Sequence, residues 1–100
     1  MVHKTIYSMT GRTGRPVANQ TVYVAGLRET FFSYGFPIAT KTTNAAGEII
    51  GIVLDVNKWN ANTTTVFYRN RFLQMDTDAI KKAIQTGEIV LKDLSAEDDE

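Results

Sequence analysis

The chain has 100 residues, the size of one ordinary domain, and its 43% apolar and 22% charged content marks globular rather than disordered material. It contains no cysteine, which excludes disulfides, thiolate metal centres and cysteine nucleophiles. No run approaches the ~18–20 apolar residues of a membrane helix, and the formal charge of zero conceals a split: residues 1–75 carry eight Lys/Arg against three acids (net +5), and residues 76–100 carry three lysines against eight acids (net −5).

In chain order, "MVHKTIYSMTG" has no apolar leader segment, so no signal peptide is expected. "KTIYSMT" alternates as a strand does, with Tyr7 and Met9 on one face and Ile6 on the other. "GRTGRP" has neither the lysine nor the hydroxyl of a phosphate-binding loop at the right spacing, and Pro16 removes an amide that such a cradle uses. It reads as a turn. "TVYV" is the next strand, and "IATKTT" ends at the turn "NAAG". "EIIGIVLDV" is apolar on both faces, as expected of a central, covered strand.

"TTTVFYRNRFL" alternates again and is expected to be a strand, with Val66, Tyr68 and Phe72 together. The segment "MDTDAIKKAIQTG" departs from this pattern. Asp76 is a good N-cap, Asp78 suits the positive first turn, Gly87 supplies the stop, and Ile80, Ala83 and Ile84 share one face. One short amphipathic helix over about 76–86 is expected, followed by a closing strand in "EIVLKDL". About seven strands with one helix predict a mainly β domain, a β-sandwich over residues 1–94, with an acidic tail at 95–100.

The stretch Met9–Val24, with Gly14, Pro16, Val17, Val22 and Val24 in place, resembles the opening of carboxypeptidase-regulatory-like (transthyretin-like, immunoglobulin-like) β-sandwich modules. "TTNAAGEI" over residues 42–49 is similar to the family's turn-and-strand signature, and the likeness runs in order over about residues 4–94. Gly11 stands where the family has Asp, Asn19-Gln20 replace Gly-Ala, and the 76–87 helix is an insertion. The resemblance implies an immunoglobulin-like sandwich and says little about activity.

Catalytic material is thin. His3 is the one histidine, so any Ser/His/Asp set depends on it, and Glu48 and Asp55 bracket one strand too far apart to work together. Asp76 and Asp78 begin like a calcium loop, but Gly87 falls where the bidentate Glu belongs, and capping explains both. An internal Lys–Asn cross-link, as in surface adhesins that the fold resembles, needs Lys4, Glu48 and Asn57 buried together. Arg12, Arg15, Arg69 and Arg71 are too few for a nucleic-acid footprint. The expectation is a non-enzyme with no cofactor, no metal, no nucleic-acid partner and no membrane partner.

Two loops remain for binding. In "RETFFSYGFPI", Phe31, Phe32, Tyr34 and Phe36 crowd between two strands with Arg28 beside them. No strand turns all four rings to one side, so some cap the core and others meet a neighbour, as interface aromatics and arginines do. Asp93 and Leu94 sit in a C-terminal arm, residues 88–100, expected to reach a basic surface. Trp59 with Asn57, Asn60 and Asn62 forms an alternative ligand face, of the kind that stacks on a sugar.

These features predict a small accessory or decoration component of a large assembly, present in multiple copies, with both termini held by neighbours. By analogy with small immunoglobulin-like modules, the assembly is a virion, at the capsid surface or head–tail region, and the partner is another structural protein such as a major capsid or neck protein. The alternative is an extracellular or cell-surface adhesion or carbohydrate-binding module of a larger protein.

Overall fold

The computed structural model describes residues 4–95; His3, the termini and the acidic residues 97–100 that figure in the sequence expectations lie outside the described residues. Six strands follow one another as β1 (Lys4–Thr10), β2 (Pro16–Ala25), β3 (Arg28–Ser33), β4 (Phe36–Thr43), β5 (Ile49–Asp55) and, after two helices, β6 (Ile89–Lys92). All six hydrogen-bond into one sheet in the order β1-β2-β3-β4-β5-β6. The first five form an antiparallel meander, and β6 lies parallel to β5. The protein is therefore mainly β, but its six strands form one mixed sheet, and the second layer is helical.

The meander is set by its turns. "GRTGRP" is a turn, closed by the Gly11 amide on the Arg15 carbonyl at 2.9 Å and the Gly14 amide on the Gly11 carbonyl at 3.1 Å. "NAAG" is one too: the Asn44 side chain accepts from the Ala46 and Glu48 amides at 2.9 and 3.0 Å. The aromatic run is not a loop. It is the β3–β4 hairpin, and only Tyr34 and Gly35 stand between the strands, at φ +53° and +84°. Positive φ at both positions is the two-residue turn whose twist matches the sheet.

The segment expected as a strand at 63–73 is instead helix α1 (Thr63–Leu73), and α2 (Thr77–Thr86) follows it. Asn62 caps α1 by accepting from the Thr65 amide at 2.9 Å, and Asp76 caps α2 by accepting from the Ala79 amide at 2.8 Å. Thr65, Tyr68, Arg69, Phe72 and Leu73 of α1 are buried, a spacing of three and four that only a helix brings to one side. Topology demands the same: a parallel strand cannot be reached by a hairpin, and β5 to β6 needs a crossover.

The core lies between the helices and one sheet face. Val22, Phe31, Ala39 and Leu54 stand in register across β2 to β5, all buried, and Phe72 of α1 stacks on Phe31 with centroids 5.8 Å apart. A register irregularity between Phe31 and Phe32 accompanies burial of both Ile38 and Ala39. Lys41 reaches from β4 to the Phe72 carbonyl at 2.8 Å, placing a cation at the negative end of α1. Ser33 and Thr65 share a buried hydroxyl bond at 2.9 Å.

Gln20 is fully buried, and neither amide atom has a hydrogen-bond partner among the described residues. Phe31→Ala should cost about 3–5 kcal/mol, as expected for truncating a fully buried ring, which urea denaturation will read. Gln20→Met should raise stability by about 1–2 kcal/mol in the same assay, because an unpaired buried amide costs on the order of 1–3 kcal/mol; a loss would show that the amide is satisfied.

Candidate functional site: the open face of the sheet

The helices cover one sheet face only. On the other, alternation brings Ile6, Thr21, Tyr23, Ala25, Arg28, Thr30, Phe32, Pro37 and Thr40 together from the first four strands. Two adjoining hollows make one groove. The first, about 440 Å³, is lined by Ile6, Thr21, Tyr23, Phe32 and Gly35. The second, about 240 Å³, shares Tyr23 and Phe32 and adds Arg28, Thr30, Pro37, Thr40 and Leu94. The groove thus runs from the β1 edge over two aromatic rings to the chain's own C-terminal segment.

That segment is pinned. After β6 the chain returns to the open face, where Leu94 is buried and its amide donates to Oδ1 of Asp55 at 2.8 Å. The other oxygen, Oδ2, accepts from the Asn57 amide at 3.1 Å. Asp55 is itself almost fully buried, so its carboxylate serves both the turn after β5 and the latch on Leu94.

The residues singled out in the sequence separate into three groups. Phe31 is fully buried among core side chains and is not available to a neighbour. Phe32, Arg28 and Leu94 line the groove, and Asp93 is the exposed residue before Leu94. Tyr34 and Phe36 are half exposed beside the hairpin tip, with the Lys58 ammonium 4.3 Å from the Phe36 ring centroid. Ile6 and Tyr23 were not singled out as site residues. Their alternation was visible, but only the strand register makes them neighbours of Phe32.

The alternative face is drawn into structure. Trp59 is half-buried, its ring lies 5.3 Å from the Arg69 guanidinium carbon, and its carbonyl accepts from Arg69 at 2.6 Å. Asn60 accepts from the same guanidinium at 3.1 Å, and Asn62 caps α1. Arg69 is fully buried and also donates to Asn70 Oδ1, from Nε at 3.0 Å and Nη2 at 2.7 Å, and to Thr77 Oγ1 at 3.1 Å. Burial pushes its guanidinium below the ordinary value. Asn57 is exposed.

The basic patch loses Arg69 to this network, leaving Arg12 and Arg71, each over the Phe67 ring at 5.0 and 5.4 Å, and the exposed Arg15. Lys4, Glu48 and Asn57 are exposed, and Lys4 on β1 is separated from β5 by three strands, so they do not form a cross-linking triad. Among the described residues no group of three or more His, Cys, Asp or Glu side chains gathers to hold a metal. No described helix is long and apolar enough to cross a membrane.

No family model matches this chain, and neither the curated proteins nor the solved structures contain a match to it. The carboxypeptidase-regulatory-like resemblance rests on its sequence motifs.

Asp55→Ala removes the acceptor for the Leu94 amide. Amide exchange at residues 92–95 should accelerate at least tenfold while β2 and β3 keep their protection, read by hydrogen-exchange mass spectrometry; unchanged exchange at Leu94 would show that the latch does not depend on the carboxylate.

Proposed function

We propose that this protein is a non-enzymatic structural component of a large assembly and that the open sheet face is the seat for a neighbouring protein. The observation that carries this reading is the groove itself. Tyr23 and Phe32 line it on a face that no described helix covers, and the half-exposed rings of Tyr34 and Phe36 stand at the hairpin tip beyond it. Aromatic rings and arginine are the side chains over-represented at interface cores.

Charge defines the kind of neighbour. The chain is neutral overall, and Arg28 is the charged side chain among the residues that line the groove. The seat therefore suits an apolar protein surface bearing an acidic residue opposite Arg28. The assembly we infer is a virion, by analogy with small β-rich modules that decorate capsids or join heads to tails, and the neighbour is another of its structural proteins. The carbohydrate-binding reading is weaker, since Trp59, Asn60 and Asn62 are engaged in holding the loop and α1.

The test is density-gradient fractionation of the native source, following the chain by mass spectrometry. Co-migration with a megadalton particle is expected. The double variant Tyr34→Asn, Phe36→Ser removes both half-exposed rings, and Asn before Gly35 preserves the turn. It should lose particle association at least tenfold while its melting temperature stays within a few degrees. Migration of the wild-type chain as a small free species would overturn the reading.

A further inference from the structure

The two edges of the sheet are built differently. β6 is short, four residues, and charges crowd it: Glu88 precedes it, Lys92 ends it and Asp93 follows. Short length and charge are the usual guards against strand addition. β1 has seven residues, and its one charge, Lys4, stands at the first position. Its register irregularity falls between Ser8 and Thr10 at the other end. That leaves Lys4–Ser8 as a regular edge without proline, with Ile6 67% and Tyr7 48% exposed.

We infer that β1 is a self-pairing edge: two copies of this chain join β1 to β1, antiparallel about a two-fold axis centred on Ile6, into one continuous twelve-stranded sheet. The edge is compatible with its own copy, and self-pairing fixes the register. In an antiparallel pair directly opposed residues share a face, and a two-fold operator pairs each residue with a symmetric one, so a single residue must sit on the axis facing its own copy. With Ile6 on the axis, Thr5 faces Tyr7 and Lys4 faces Ser8, and every pair falls within the regular stretch 4–8. With Tyr7 on the axis, Thr5 faces Met9 and Lys4 faces Thr10, across the irregularity.

The Ile6-centred register also sets a β-branched residue against an aromatic, a favourable cross-strand pair. The two Lys4 side chains lie at opposite ends of the joint, so like charges do not meet. The Tyr7 phenol is held above its ordinary value, by partial burial first and by the Glu29 charge second, so it enters the joint uncharged at neutral pH. The open faces of both copies come to the same side, and the groove that starts at Ile6 meets its symmetric counterpart there. This pairing does not rest on what the groove binds.

The chain's lack of cysteine makes the test clean. Opposed Cα atoms in an antiparallel pair are about 4.5–5.5 Å apart, within the range of about 4.4–6.8 Å that a disulfide spans. Purified Ile6→Cys should therefore oxidise to a disulfide-linked dimer, and Tyr7→Cys should not. Wild-type protein should sediment at twice the 11.2 kDa chain mass at high micromolar concentration, and Ile6→Lys should return it to the monomer mass. Those amides of Thr5–Ser8 that point away from β2 should exchange at least tenfold more slowly in the dimer than on dilution. A wild-type monomer throughout would overturn the proposal. So would a dimer whose β1 amides exchange at the monomer rate, because that dimer would join through another surface.

Discussion

Two parallel strands that lie side by side cannot be joined by a tight turn, and the β5–β6 pair imposes this constraint on the whole molecule. The chain must leave the sheet at Asp55, travel, and return at Ile89 in the same direction. It travels as two helices on one side. That choice fixes which residues of the meander are core: Val22, Phe31, Ala39 and Leu54 face the crossover, joined by Ile38 at the register irregularity. With the helices spent on one layer, the opposite face is left to the groove, to which Leu94 returns.

The groove inherits its position from this arithmetic. A strand presents alternate residues to opposite sides, so Phe31 and Phe32 have opposite fates despite being adjacent. One stacks on Phe72 inside the molecule, and the other lines the outer hollow beside Tyr23. The hairpin then turns in two residues, which carries Tyr34 and Phe36 to the end of the sheet rather than into either layer. Four aromatics within six residues thus divide among core, groove and tip, and each has a separate energetic role.

Much of this was legible in the sequence, and what was not had a physical reason. The turns at "GRTGRP" and "NAAG" are written in residue types that the backbone requires there. Asp76 and Gly87 bracket α2, and Ile80 and Ala83 mark its buried face, so that helix could be read directly. Helix α1 reads as a strand in the sequence because its core side holds Thr65 and Arg69, polar residues that mask the apolar stripe, while Val66, Tyr68 and Phe72 mimic alternation. Asn62, three residues before Thr65, was the available sign of a helix start. The hairpin at Tyr34 was hidden because aromatic residues seldom take positive φ. The expected two-sheet sandwich is not seen: all six strands join one sheet, and the segment at 63–73 is a helix in the layer beside it. The groove was illegible for another reason, since its lining comes from strands whose register no single segment encodes.

The buried guanidinium of Arg69 has a consequence of its own. It fastens three pieces of the crossover: the loop at Trp59 and Asn60, α1 through Asn70, and the start of α2 through Thr77. Every acceptor is a carbonyl, an amide oxygen or a hydroxyl, and none of these groups ionises. A joint built on a carboxylate would loosen when acid neutralises its partner. This one keeps the same acceptors in acid, so the joint among the loop, α1 and α2 holds where a carboxylate joint would loosen.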